Sequence, residues 1–139
     1  MGKIKVLFLC TGNSARSQMA EGFLRRLAGD RFEASSAGTQ PKGLNPLTTR
    51  AMEEIGIDIS GHRSKDVSEF KGHDFSYVVT VCDRAKQSCP VFPATTQVLH
   101  WSLDDPADTL GTEEEKLAVF RRVCDKIEQR IHEFVKRVA

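Results

Sequence analysis

A short, mostly apolar run at residues 4–9 leads directly into a glycine-containing turn and then into a helical pattern. Only Lys5 interrupts the run, and near-continuous apolar character is typical of a strand buried on both faces of a sheet. From residue 17 to residue 28 apolar side chains recur at helical spacing, and Gly29 closes that helix. A buried strand followed at once by an amphipathic helix favours an α/β fold.

The rest of the chain repeats this alternation of strand-like and helix-like segments. We therefore predict one α/β domain, residues 1–139, with a four-stranded parallel sheet, helices on both of its faces and right-handed crossovers. Further strands are predicted over residues 32–36, 74–81 and 97–99, and further helices over residues 46–55 and 112–138.

Local signals mark the starts of the two later helices. Asn45 and Pro46 provide an N-cap and a favoured first helical residue, and Thr112 with Glu115 forms a capping-box pair. Cys124 falls within the apolar stripe of the last helix, so we assign it to packing rather than to chemistry. The stripe comprises Leu117, Phe120, Cys124, Ile127, Ile131, Phe134 and Val138.

Overall charge and hydropathy exclude several classes of partner. The formal net charge of +1 gives no reason to expect nucleic acid or an anionic membrane surface. No apolar run is long enough to cross a bilayer or to act as a secretory signal, so we expect a cytoplasmic protein without a membrane partner. We also expect a monomer. Four cysteines, at positions 10, 82, 89 and 124, lack both zinc-ligand spacing and the pattern of a secreted disulfide framework. We expect no metal and no cofactor.

The turn after the first strand has the composition of an anion-binding loop. Cys10 and Arg16 enclose five residues through which backbone N–H groups can surround one tetrahedral oxyanion, at the positive end of the following helix. Gly12 and Asn13 tolerate the left-handed backbone angles that such a loop needs. This field is expected to lower the pKa of the Cys10 thiol. The predicted substrate-binding residues are Thr11, Gly12, Asn13, Ser14, Ala15, Arg16 and Ser17.

The stretch VLFLCTGNSARSQMAEG at residues 6–22 resembles the signature of the low-molecular-weight phosphatase family. Within that family the chain is most similar to arsenate reductases that couple to thioredoxin. The resemblance covers nearly the whole chain, and it continues through Ser-Ala-Gly at 36–38, Asn-Pro at 45–46, DISGH at 58–62, VTVC at 79–82 and HWSLDDP at 100–106.

The resemblance implies a reaction and a role for each site residue. Cys10 would attack arsenate held by Arg16, and Asp105, in the Asp-Pro pair, would act as the general acid. Cys82 would then attack Cys10 and expel arsenite, and Cys89 would attack Cys82 to pass the disulfide to thioredoxin or a similar thiol reductant. Alternatives that remain open are a phosphatase using the same loop and a non-catalytic oxyanion-binding module.

A helical segment over residues 83–89 would place Cys82 and Cys89 roughly 10 Å apart, farther than a disulfide allows. The relay therefore predicts that this segment unwinds on oxidation.

Five positions depart from the relatives. Ala15 replaces a second loop cysteine, Gln18 replaces a proline of the phosphatases, and Ala107 with Asp108 replaces their aromatic residues after Asp-Pro. A small free oxyanion therefore fits this chain better than phosphotyrosine. Some related reductases bind potassium through an aspartate where this chain has Lys65, together with Asn13, Glu21 and Ser36. An ammonium there would repel a cation, so we predict no potassium site.

Overall fold

The structure is a computed structural model that describes residues 2–82, 92–93 and 95–138. The predicted unwinding of residues 83–89 and the position of Cys89 lie outside the described residues. The elements in chain order are β1 (Ile4–Cys10), α1 (Arg16–Ala28), β2 (Phe32–Gly38), α2 (Pro46–Glu54), a 3₁₀ helix (Val67–Phe70), β3 (Tyr77–Thr80), β4 (Gln97–His100), a second 3₁₀ helix (Pro106–Asp108) and α3 (Glu113–Val138).

The four strands form one parallel sheet in the order β2-β1-β3-β4. The fold prediction of a four-stranded parallel sheet with helices is confirmed. Side chains of neighbouring strand residues point to opposite faces, and Val6 to Cys10 are all buried, so both faces of β1 are covered. Non-consecutive strands β1 and β3 are adjacent, which places their carboxyl ends side by side where open parallel sheets bind ligands.

The helices end and begin close to the predicted positions. Asn45 Oδ1 accepts a hydrogen bond from Leu47 N at 2.9 Å, and Thr112 and Glu115 exchange two hydrogen bonds of 3.2 Å, as in a capping box. Strand β2 is two residues longer than predicted, because Ala37 and Gly38 pair with Leu9 and Cys10 of β1. Helix α3 packs its apolar stripe on α1 and α2. No helix in the described part of the chain combines the length and the apolar character needed to cross a membrane.

Candidate active site

The loop of residues 11–15 joins the end of β1 to the start of α1 and carries the predicted anion site. Asn13 has a left-handed backbone with φ of 48°, as predicted, whereas Gly12 is not among the described residues with positive φ. Of the two residues expected to tolerate a left-handed backbone, the loop uses Asn13. Asn13 alone makes the turn, and its buried side chain holds this strained conformation in place.

All four hydrogen-bonding positions of the Asn13 amide are used. Its Nδ2 donates to Ser17 Oγ at 2.8 Å and to Ser36 Oγ at 3.0 Å. Its Oδ1 accepts from the backbone N–H of Lys65 at 2.8 Å and from Gln18 Nε2 at 3.1 Å. Because the amide is fully satisfied, Asn13 fixes the loop against α1, β2 and the segment that carries Lys65.

Gly38, at the end of β2, is required by the close approach of the loop. A Cβ on Gly38 would lie 2.5 Å from the Thr11 carbonyl oxygen and 3.0 Å from Asn13 N. Both of these are backbone atoms that cannot rotate away, so only glycine fits. The Ser-Ala-Gly stretch was part of the resemblance, but its packing against the loop could not be inferred from sequence.

The Cys10 sulfur receives hydrogen bonds from its own loop. Asn13 N donates to Sγ at 3.1 Å, and Ser17 Oγ lies 2.9 Å from Sγ. Because Ser17 Oγ already accepts a hydrogen bond from Asn13 Nδ2, its hydroxyl proton is available for the sulfur. The Ser17 hydroxyl therefore donates to the Cys10 sulfur.

The predicted lowering of the Cys10 pKa is wrong. Cys10 is only 2% exposed, and burial of the sulfur raises its pKa above the ordinary value of 9.0. The hydrogen bonds from Ser17 and Asn13, and the charge of Arg16, act in the opposite direction without overcoming burial. The loop sequence indicates donors and positive charge, but not how completely the rest of the chain encloses the sulfur.

Arg16 and Asp105 face each other across the site. Arg16 NH2 lies 3.4 Å from Asp105 Oδ2, and Arg16 NH1 donates to the Leu103 carbonyl at 2.9 Å. Asp105 Oδ1 accepts from Ala107 N at 3.0 Å and so caps the short helix Pro106–Asp108. Both charged groups line the same cleft as Cys10.

Cys82 lies beside the anion loop. Leu9 pairs with Thr80, and Val81 N donates to Leu9 O at 2.9 Å, so the chain after β3 runs alongside the start of the loop. Cys82 Sγ lies 3.3 Å from Thr11 Oγ1, and Cys82 is buried with 4% exposure. The structure thus brings together Cys10, Arg16, Asp105 and Cys82, whereas Cys89 lies outside the described residues.

These groups line a cleft of about 540 Å³. No aromatic side chain of the described residues lines it. Two features of the cleft could not be inferred from the sequence. They are the Leu103 carbonyl that orients Arg16 and the side chain of Lys42. The cleft is lined by Cys10, Thr11, Gly12, Ser14, Ala15, Arg16, Lys42, Cys82, Leu103, Asp104, Asp105, Ala107 and Asp108.

Lys65 extends toward Glu21 behind the loop. Its ammonium lies 4.0 Å from Glu21 Oε1 and donates to the Arg63 carbonyl at 2.9 Å, and its side chain is 13% exposed. Burial lowers the pKa of Lys65. Lys65 is therefore not a solvated surface lysine. Its ammonium lies beside Glu21, which together with Asn13 and Ser36 matches the potassium-binding positions named above.

His62 joins the same cluster through Gln18. His62 Nδ1 lies 3.0 Å from Gln18 Oε1, and Arg25 NH1 lies 2.8 Å from His62 Nε2. An arginine can only donate, so Nε2 accepts and Nδ1 carries the proton of a neutral ring. Burial lowers the pKa of His62, and the attraction of Glu21 opposes this effect without cancelling it. Within the described residues, no group of three or more His, Cys, Asp or Glu side chains could hold a metal ion.

Comparisons with known proteins agree on one family. Residues 5–139 match the family described as low molecular weight phosphotyrosine protein phosphatase. An arsenate reductase of Halalkalibacterium halodurans is 47% identical over 136 residues, which cover 98% of each chain. A solved structure of an arsenate reductase in the phosphate binding state has a TM-score of 0.79 at 33% identity and covers 98% of this chain and 99% of that chain.

A solved thioredoxin-dependent arsenate reductase of Corynebacterium glutamicum is similar as well. It has a TM-score of 0.78 at 28% identity, and the match covers 98% of this chain and 62% of that chain. Of the two activities in these descriptions, the reductase is the one that needs a second thiol at the anion loop.

Proposed function

Because the chain belongs to the low molecular weight phosphotyrosine protein phosphatase family, we propose that it uses this family's anion loop to reduce arsenate to arsenite. The observation that carries the proposal is the placement of Cys82, whose sulfur lies 3.3 Å from the hydroxyl of Thr11, next in sequence to the nucleophile Cys10. A phosphatase needs one cysteine at this place. A thiol-dependent reductase needs two, because arsenic must gain two electrons.

The loop residues bind arsenate as a tetrahedral anion. Helix α1 begins at Arg16, which lines the cleft, so the helix N-terminus lies at the site, and Arg16 supplies a planar guanidinium whose NH1 is held by Leu103 O. Thr11, Gly12, Ser14, Ala15 and Arg16 line the cleft and form the binding site, whereas Asn13 and Ser17 are fully buried and act on it through the Cys10 sulfur. The donors of the binding site are fixed before the substrate arrives, so they need no reorganisation as charge shifts in the reaction.

The first step is attack of Cys10 on arsenic. Its thiolate forms an S–As bond while one arsenate oxygen leaves as water, so arsenic stays pentavalent. Asp105 donates a proton to that oxygen, because a hydroxide is a poor leaving group without it. The Ser17 hydroxyl and Asn13 N stabilise the thiolate that attacks.

The second step moves the electrons. Cys82 Sγ attacks Cys10 Sγ, the S–As bond breaks, and its electron pair stays on arsenic as arsenite leaves. Two thiols are oxidised to the Cys10–Cys82 disulfide, and arsenic is reduced from the pentavalent to the trivalent state. Cys82 lies two residues beyond β3, the strand next to β1, and its sulfur contacts the hydroxyl of Thr11, which follows Cys10 in the chain.

The third step regenerates Cys10. Cys89 attacks Cys82 Sγ, which frees the Cys10 thiol and leaves a Cys82–Cys89 disulfide. A dithiol reductant of the thioredoxin type then reduces that disulfide and returns the chain to its starting state. The sequence resemblance assigns this role to Cys89, and the Cys89→Ala variant tests it.

A phosphatase on the same loop is the second candidate, because a tetrahedral phosphate would make the same contacts. The lining of the cleft argues against phosphotyrosine. Ala107 and Asp108 follow Pro106 on the wall where aromatic residues would hold a phenyl ring. We therefore expect slow hydrolysis of small phosphate esters beside arsenate reduction.

The decisive assay follows arsenite formation with thioredoxin, thioredoxin reductase and NADPH. We expect Cys10→Ser to abolish all activity, and Cys82→Ser to stop after the Cys10–arsenic adduct. Cys89→Ala should complete one turnover and accumulate the Cys10–Cys82 disulfide, identified by mass spectrometry. Cys124→Ala is the matched control, since this thiol is buried in the core beside Met52 Sδ.

Hydrolysis of p-nitrophenyl phosphate by the same variants separates the two candidates. A phosphatase would lose this hydrolysis only in Cys10→Ser and would keep it in Cys82→Ser and Cys89→Ala. Multiple turnover of arsenate by Cys89→Ala would show that the relay does not use this residue.

A further inference from the structure

The described side chains that line the cleft include three carboxylates and two cations, a balance of charge that disfavours the binding of an anion. Asp104, Asp105 and Asp108 line one wall, whereas Arg16 is the cation at its base. Arg16 NH2 lies 3.4 Å from Asp105 Oδ2, so much of its charge is offset before a substrate arrives. The remaining carboxylates, Asp104 and Asp108, are exposed and would repel an incoming oxyanion.

Lys42 is the second cation that lines the cleft within the described part of the chain. Its backbone N–H donates to the Gly12 carbonyl at 2.9 Å, which attaches this residue to the anion loop itself. Its Cγ and Cδ pass over Gly12, 3.6 and 3.5 Å from the place of a Cβ on that glycine. The missing side chain at Gly12 thus leaves a path along which the lysine stem reaches the cleft.

The ammonium of Lys42 is available for a ligand. Among the described residues, no carboxylate lies within 4.0 Å of it. The residue is exposed, and its side chain has four rotatable carbons. A mobile point charge anchored at its backbone can meet an anion at the rim and follow it inward, which a fixed guanidinium in the cleft cannot do.

We propose that Lys42 binds the oxyanion together with Arg16 and the anion loop and offsets the repulsion of Asp104 and Asp108. This inference rests on the proposed function for the identity of the oxyanion. Lys42 acts on binding and not on bond making, because no hydrogen bond or ion pair in the described part of the chain joins its side chain to Cys10, Arg16 or Asp105.

The test compares Lys42→Gln with Lys3→Gln. Both changes remove one positive charge, but Lys3 is exposed and precedes β1 at the end opposite the loop. At low ionic strength we expect Lys42→Gln to lower kcat/KM for arsenate by about three- to tenfold with kcat unchanged within about twofold. The difference should largely disappear near 0.5 M sodium chloride, where screening acts over only about 4 Å. Lys42→Arg should restore most of the loss.

Inorganic phosphate provides a readout that does not depend on reduction. Its Kd, measured by calorimetry on the reduced protein, should rise in Lys42→Gln by the same factor as kcat/KM falls, and should not change in Lys3→Gln. Equal values for the two variants in both assays would overturn the role of Lys42. A fall in kcat that persists at high salt would overturn it as well, because that result places Lys42 in the chemistry.

A wild-type protein that binds phosphate through Lys42 but forms no arsenite would contradict the proposed function alone.

Discussion

The sulfur of Cys82 and the hydroxyl of Thr11 lie 3.3 Å apart, and this contact joins the end of β3 to the anion loop. Thr11 directly follows Cys10, so the same short stretch of chain carries the proposed nucleophile and the group that contacts its proposed resolving thiol. The contact exists because β1 and β3 are neighbours in the sheet although α1, β2 and α2 separate them in sequence.

Removing the Thr11 hydroxyl should slow the second step and spare the first. We expect Thr11→Val to lower the rate of arsenite release by about fivefold, the effect of one lost hydrogen bond. Rapid-quench measurement of arsenite in a single turnover gives this rate. Alkylation of Cys10 by iodoacetamide is the internal control and should change by less than about twofold. If adduct formation slows instead, Thr11 serves the loop and does not position Cys82.

Burial raises the pKa of Cys10, and the hydrogen bond from Ser17 acts in the opposite direction. The Ser17 hydroxyl donates to the sulfur, and this bond stabilises the thiolate more than the thiol. Ser17→Ala should therefore raise the pKa of Cys10 further and slow its alkylation at pH 7.5 by about three- to tenfold. A pH profile of alkylation by iodoacetamide measures both quantities. Ser102→Ala, at an exposed position, is the control and should match the wild type.

Much of the fold could be predicted from sequence because local signals agreed with the global pattern. The apolar run before Cys10 could only be a strand buried on both faces, and the capping residues at Asn45 and Thr112 fixed two helix starts. The end of β2 was missed because Ala37 and Gly38 have little intrinsic strand preference. Pairing with Leu9 and Cys10, which is tertiary, decides their structure.

In the site as well, features set by residues that are neighbours in the chain could be predicted, whereas features set by distant segments could not. The Cys10–Arg16 loop was predictable because all of its parts are contiguous in the chain. The pKa of Cys10 was not, because it depends on how completely distant segments enclose the sulfur. The Leu103 carbonyl and the Lys42 stem also reach the loop from separate segments. A backbone carbonyl and an exposed lysine have no sequence signature that would have identified them.

His62 should make the folded protein less stable in mild acid. Burial lowers its pKa below the ordinary 6.5, so the unfolded chain binds more protons between the two values. The free energy of unfolding should therefore fall as the pH drops through about 6.5, by at most about 1.4 kcal/mol per pH unit, until the folded-state pKa is passed. Urea unfolding from pH 8 to pH 5 measures this slope.

The matched variants for this slope are His62→Gln and His132→Gln. The first cannot be protonated and should flatten the pH dependence. The second alters a side chain that is 60% exposed on α3 and should keep the wild-type slope. An unchanged slope in His62→Gln would assign the acid sensitivity to another group.

Lys65 should make the protein insensitive to potassium. Its ammonium lies 4.0 Å from Glu21 Oε1, and a second cation beside it would be repelled. We expect the Tm of the wild type to be the same in potassium chloride and sodium chloride at equal ionic strength. Lys65→Asp replaces the ammonium by oxygen ligands and should acquire a Tm that rises with potassium alone. A potassium-specific rise in the wild type would contradict this prediction.

Asp105, and not its neighbour Asp104, should supply the proton for the first step. Asp105 is held toward the loop by Arg16 and by the N–H of Ala107, whereas Asp104 is exposed on the same wall. Asp105→Asn keeps the hydrogen-bonding shape but cannot act as an acid. It should lower the single-turnover rate of arsenate reduction by about 10²- to 10³-fold. Binding of inorganic phosphate should weaken by less than about threefold or become tighter, since one negative charge is removed. Asp104→Asn removes the same charge and should leave the rate within about threefold of the wild type. If Asp104→Asn shows the larger loss of rate, Asp104 is the acid. The short helix Pro106–Asp108 must then rotate during the reaction to bring Asp104 to the substrate.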